Sequence, residues 1–293
     1  MSPGSPPGGP GLYEALRDCI RAEEPVALAT VVELTDSADW ESPPAPGEVL
    51  PRPGAKLLVR PGEASRGTTG DPDLDRVVTR DALGALESGL SATRHYGRHG
   101  QANQREVAVF VEAFAPPPQM VIFGAVDFTA ALARVAKVLG YRVTVCDARP
   151  VFATPARFPM ADEVVVDWPD RHLAKVGPDL GPRDAVCVLT HDPKFDVPAI
   201  VAALATRVGY IGAMGSRRTH ADRTARLLEE GVADEDLGRV MGPIGLDIGA
   251  RTPEETAVSI CAEIIALRVG GAKVPVPSLR DRAGPIHHDR LTG

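Results

Sequence analysis

Apolar positions along this chain recur with two periods. Leu12, Leu16, Cys19 and Ile20 make one stripe at helical spacing and predict a helix over residues 11–22. Residues 26–34 are an apolar, β-branched run that predicts a buried strand, and the Pro-, Ser- and Asp-rich residues 36–53 predict a loop. A second strand is expected over 56–60 and another over 107–113. Between them Leu74, Val78, Ala82 and Leu86 share one face of a helix expected over 74–86. Ala115-Pro116-Pro117-Pro118 can continue neither a sheet nor a helix, which puts a domain boundary there.

Beyond the prolines, short apolar runs alternate with amphipathic stretches. Strands are expected over 120–123, 141–146, 163–166, 185–189 and 210–211, and helices over 127–139, 198–206 and 219–230. Thr252 and Glu255 have capping-box spacing with Pro253 at the first helical position, so a last helix runs to about residue 269, where Gly270-Gly271 stops it. Strands alternating with helices imply βαβ units and a parallel sheet. The expected fold class is α/β, a Rossmann-type parallel-sheet C-terminal domain with a smaller α+β N-terminal domain. The expected ranges are a disordered leader at 1–10, a first domain at 11–114, a Pro-rich linker at 115–119, the Rossmann-type domain at 120–271 and a flexible tail at 272–293.

Composition narrows the function classes. A length of 293 residues fits two domains, and 44% hydrophobic with 24% charged residues is ordinary globular composition. A net charge of −7 argues against a general nucleic-acid binder. Cys19, Cys146, Cys187 and Cys261 show no CxxC spacing, so no metal site is expected and the thiols read as buried apolar groups in a reducing compartment. The Ser-, Pro- and Gly-rich start lacks the apolar segment of a signal peptide, and no apolar run approaches the ~20 residues of a membrane span. A cytoplasmic location is expected. His287-His288 in the tail reads as a solvated end.

Candidate chemistry gathers at the ends of the predicted strands, where doubly wound sheets bind ligands. Gly124 holds the first position of a dinucleotide fingerprint, but the second is Val126, whose side chain obstructs a pyrophosphate, and the third is Thr129. Asp147 stands where a ribose-binding acid belongs, about 20 residues further on. An NAD(P)-dependent oxidoreductase is therefore the alternative reading rather than the first, and NAD(P) is not the expected cofactor. Thr190-His191-Asp192 faces the same crevice; His191 reads either as structural or as part of a polar rim.

Gly215-Ser216-Arg217-Arg218 leads into a helix. Two arginines in a first turn oppose the helix dipole by roughly 0.3–1 kcal/mol each when exposed. An anion there reverses the sign, because backbone N–H groups and guanidiniums converge on it. The alternative is a solvated pair satisfied by nearby acids. Residues 243–249, with Gly245 and Asp247, read either as a connector shaped by glycine freedom or as a ligand-facing loop.

Taken together, Ile122-Phe123-Gly124-Ala125, Val145-Cys146-Asp147-Ala148-Arg149-Pro150, Phe158-Pro159, Thr190-His191-Asp192-Pro193-Lys194, the run from Tyr210 through Gly215-Ser216-Arg217-Arg218 and the run Pro243-Ile244-Gly245-Leu246-Asp247-Ile248-Gly249-Ala250 closely resemble the XdhC/CoxI family of xanthine dehydrogenase accessory proteins. Pro51-Arg52-Pro53-Gly54-Ala55-Lys56 resembles a turn in that family's first domain. Where many members carry Gly-Gly-Cys-x-Glu this chain has Gly70-Asp71-Pro72-Asp73-Leu74, so no thiolate role carries over. The resemblance implies a chaperone, not an enzyme, that transiently binds molybdenum cofactor (molybdopterin) and assists its sulfuration and insertion into xanthine dehydrogenase or a related molybdenum hydroxylase. It also implies a homodimer and a cysteine desulfurase as a further partner. With this reading the expected cofactor-binding residues are Gly124, Asp147, Arg149, His191, Asp192, Gly215, Ser216, Arg217, Arg218, Gly245 and Asp247.

Overall fold

The computed structural model describes residues 11–35, 50–102 and 104–268. The expected leader, tail and His287-His288, and most of the loop after residue 35, lie outside the described residues. The chain divides into two compact units, residues 1–116 and 117–293.

In the first unit the order is α1 (Leu12–Arg21), β1 (Val26–Leu34), β2 (Lys56–Val59), β3 (Arg66–Thr68), α2 (Pro72–Ser88), β4 (Ala92–Tyr96) and β5 (Val107–Phe114). The strands form an antiparallel sheet ordered β3-β2-β1-β5-β4. Alternation along β1 explains its two covers. Ala27, Ala29 and Val31 pack with α2 residues Leu74, Val78 and Ala82, while Val26 and Leu28 join the cluster of Ala15 and Cys19 on α1. Asp71 caps α2 by accepting from the Leu74 N–H at 2.8 Å, and Pro72 occupies the first turn. Strands β3 and β4 escape the sequence pattern because they are edge strands with almost wholly exposed side chains, so no apolar alternation marks them.

The second unit runs β6 (Gln119–Phe123), α3 (Asp127–Val138), β7 (Arg142–Cys146), β8 (Glu163–Val165), α4 (Pro169–Val176), β9 (Ala185–Val188), α5 (Pro193–Leu204), β10 (Tyr210–Ala213), α6 (Arg217–Glu229), α7 (Asp234–Leu237), β11 (Val240–Met241) and α8 (Pro253–Arg268). All paired strands are parallel, in the order β11-β10-β9-β6-β7-β8. Numbered from β6 this is the 3-2-1-4-5-6 order of a Rossmann sheet, with its switch point between β6 and β9. The strands read as continuous apolar runs because both faces are covered. Met120 and Ile122 pack with Leu132, Ile260 and Ile264 of α3 and α8, and Val121 and Phe123 pack with Leu173, Ile200 and Leu227 of α4, α5 and α6.

Helix α5 begins five residues before the expected start at 198. Asp192 caps it, Pro193 takes the first turn, and Pro198 lies inside. Burial of Phe195, Val197 and Ile200 holds the helix through the hydrogen bond that Pro198 cannot donate. Short α4, α7 and β11 carry too few residues to show a period.

Candidate functional site

A cavity of 260 Å³ opens at the carboxyl end of β10. Met214, Gly215 and Ser216 bound it on one side, Pro243, Ile244, Leu246, Asp247, Gly249 and Ala250 on another, and Phe128, His191, Thr256 and Ser259 complete it. Its floor is apolar and its rim polar, the usual make-up of a small-molecule site.

Helix α8 shapes the loop on one side of this cavity. Gly245 has φ +101°, and a Cβ there would stand 2.4 Å from Ser259 Oγ, so only glycine fits the close approach. Ser259 Oγ donates to the Leu246 carbonyl at 2.6 Å. Glu263 is 1% exposed. Its Oε2 accepts from the Gly245 N–H at 2.9 Å and from the Tyr210 hydroxyl at 2.7 Å. Burial and then the Glu263 charge push the Tyr210 phenol well above its ordinary value, so it remains a donor.

Helix α6 supplies the opposite side. Ser216 is its N-cap, its hydroxyl accepting from the Thr219 N–H at 3.1 Å. The first turn contains no acid, Arg217 is half-buried and Arg218 exposed. Beneath this turn lies an ion pair. Arg223 Nη2 donates to Asp196 Oδ2 at 2.9 Å and to the Met214 carbonyl at 2.8 Å, and the Thr190 hydroxyl donates to Asp196 Oδ1. The pair's side chains are 3% and 4% exposed. It ties the ends of β9 and β10 to α5 and α6, and burial pushes the Asp196 carboxyl up despite Thr190 and Arg223. Asp192 caps α5 by accepting from the Lys194 N–H at 3.2 Å, which holds this exposed carboxyl below its ordinary value.

The β6–α3 turn lies at the switch point. Gly124 has φ +108°, and a Cβ there would meet Thr190 Cγ2 at 2.8 Å. Thr129 donates its hydroxyl to the Gly124 carbonyl. At the end of β7, Asp147 accepts from the backbone N–H groups of Ala125 and Arg149 and from Nε and Nη2 of Arg149 at 2.8–2.9 Å. Burial pushes the Asp147 carboxyl up, but the Arg149 guanidinium and these N–H donors outweigh it and hold the group below its ordinary value.

Of the residues expected from sequence, His191, Gly215, Ser216 and Asp247 line the cavity, Gly245 lies in its loop, and Arg217 and Arg218 follow in the adjoining helical turn. Gly124, Asp147, Arg149 and Asp192 sit at neighbouring strand ends and do not line it. Phe128, Ser259, Glu263, Asp196 and Arg223 were not anticipated. Glu263 was legible: it interrupts the buried stripe of Ile260, Cys261 and Ile264, and a charge placed there needs partners. All four cysteines are free and buried, and among the described residues no group of three or more His, Cys, Asp or Glu could hold a metal. Among those residues, too, no helix is long and apolar enough to cross a membrane.

Compared with known proteins, residues 120–264 match the XdhC Rossmann domain, and residues 45–97 match the XdhC and CoxI family. A Bacillus subtilis (strain 168) protein, named as a probable subunit of xanthine dehydrogenase, is 36% identical over 160 residues, 55% of this chain and 46% of that one. Two Escherichia coli (strain K12) proteins also align. The molybdenum cofactor insertion chaperone PaoD is 28% identical over 160 residues, 55% of this chain and 43% of PaoD, and the uncharacterized protein YqeB is 27% identical over 256 residues, 83% and 44%. The chain thus spans less than half the length of each of these relatives. A crystal structure of a xanthine dehydrogenase from Bacillus halodurans superposes with a TM-score of 0.47 at 22% identity, covering 89% of this chain and 97% of that one.

Proposed function

Because the chain belongs to the XdhC and CoxI family, we propose that it is a molybdenum-cofactor chaperone that takes up the cofactor as cargo and assists its sulfuration and insertion into xanthine dehydrogenase or a related molybdenum hydroxylase. One observation carries the reading: an apolar-floored cavity whose lip is the cationic, acid-free first turn of a helix. The cargo is a flat pterin with a terminal phosphate. The phosphate is assigned to Ser216, Arg217, Arg218 and the first N–H groups of α6, where the helix dipole and the guanidiniums act together. The ring system is assigned to the floor of Phe128, Met214, Ile244 and Leu246, with His191 and Asp247 at its polar edges. At 260 Å³ the cavity takes a fused-ring head rather than a whole dinucleotide. PaoD is itself named a molybdenum cofactor insertion chaperone, which supports this assignment over a dehydrogenase. The molybdenum hydroxylase, a cysteine desulfurase and a second copy of the chain are the partners this function calls for.

The test is cofactor retention. Arg217→Ala combined with Arg218→Ala removes charge-assisted bonds worth about 1.5–3 kcal/mol each where desolvated, so affinity should fall roughly tenfold or more. Pterin released by acid and oxidised to its fluorescent form measures it. Equal pterin on variant and parent would overturn the placement.

A further inference from the structure

In a sheet of this order, the acid ending the second strand receives the ribose hydroxyls of a dinucleotide. Here that acid is Asp147, and its side chain is 2% exposed. Oδ1 accepts the backbone N–H and Nε of Arg149, both at 2.9 Å. Oδ2 accepts the Ala125 N–H and Arg149 Nη2, both at 2.8 Å. An ionised carboxylate offers about four lone-pair sites, so a ribose hydroxyl finds no acceptor left.

The occupant is also braced. The Arg149 guanidinium lies 4.5 Å from the centre of the Phe152 ring, which stacks on it from another side. Being planar and bidentate, it pairs with both oxygens at once, as two vicinal hydroxyls would. Tethered two residues away, it competes at an effective concentration that a free nucleotide does not reach. Val126, the residue before α3, is partly buried against the apolar core of this unit, so the block at this end of the sheet is Arg149 itself.

We propose that Arg149 is a built-in occupant of the ribose subsite, a specificity-determining residue that closes this Rossmann crevice to adenosine nucleotides. Neither Asp147 nor Arg149 lines the cavity at α6 and α8, so the claim stands or falls independently of what that cavity carries.

Binding of AMP and of its 2′,3′-dideoxy analogue to the full chain tests it, by equilibrium dialysis. Arg149→Ala should bind AMP about tenfold or more tightly than the parent, and the gain should vanish with the analogue, which lacks the hydroxyls. Adding Asp147→Asn should remove the gain. If Arg149→Ala does not fold, Arg149→Gln carries the same test with a smaller expected gain, since an amide fills only part of the carboxylate. Unchanged AMP affinity in the folded variant, or an equal gain for both nucleotides, would overturn the proposal.

Discussion

Asp147 shows how a single side chain can be spoken for by its own neighbourhood. Its carboxylate is buried while its partner Arg149 is 45% exposed, so solvent screens part of the attraction and the backbone donors supply a large share of the hold. Replacing it by Asn should cost about 1–3 kcal/mol at neutral pH. The sign of the pH dependence follows from its lowered folded pKa. The contribution is complete above the ordinary value of 3.8 and is lost as pH falls through the lower folded value. Urea unfolding from neutral pH to about pH 3 should therefore show parent and Asp147→Asn converging at the acid end; a constant gap would contradict the assignment.

Helix α8 acts as a template for the loop between β11 and its own start. Its opening was legible as a capping box, and the structure has it: Glu255 N–H donates to Thr252 Oγ1 at 3.1 Å, and Glu255 Oε2 accepts from Thr252 N–H at 3.1 Å. Its inward charge, Glu263, was not connected to the loop, because Tyr210 and Gly245 lie 53 and 18 residues away in sequence. Tyr210→Phe removes one donor and should cost about 1 kcal/mol with cofactor retention near the parent's. Glu263→Ala strands both the Tyr210 hydroxyl and the Gly245 N–H, so it should cost more stability and lower retention as well. Thermal melting and acid-released pterin, read on the same samples, distinguish the two. Retention unaffected by Glu263→Ala would mean the loop does not shape the site.

At the scale of the molecule, the proposed function asks a chain of net charge −7 to attract an anionic cargo against its own field. Attraction then depends on the local cationic turn of α6, and screening should weaken it. Cofactor affinity is expected to fall as salt rises from about 50 to 300 mM, with a Debye length near 10 Å at 0.1 M, and the Arg217→Ala, Arg218→Ala protein should show a flatter dependence. Salt-independent binding by the parent would remove the phosphate from that turn.

By itself, the sequence determined the class of the fold and most of its long elements, because a strand buried on both faces and a helix buried on one must carry periods of their own. It also marked Ser216 and the arginines after it, whose placement at a helix start is unfavourable unless something answers their charge. Only the tertiary structure decided which strand ends adjoin, and with that the use of each marked residue. The crossing order of the sheet brings Phe128, Met214 and Ser259 from three separate segments around one cavity, sets Asp196 against Arg223, and adds the Ala125 N–H to the local Arg149 bonds on Asp147. Spacing along a chain records local geometry, whereas hydrogen-bond saturation depends on neighbours that come together only when the sheet closes.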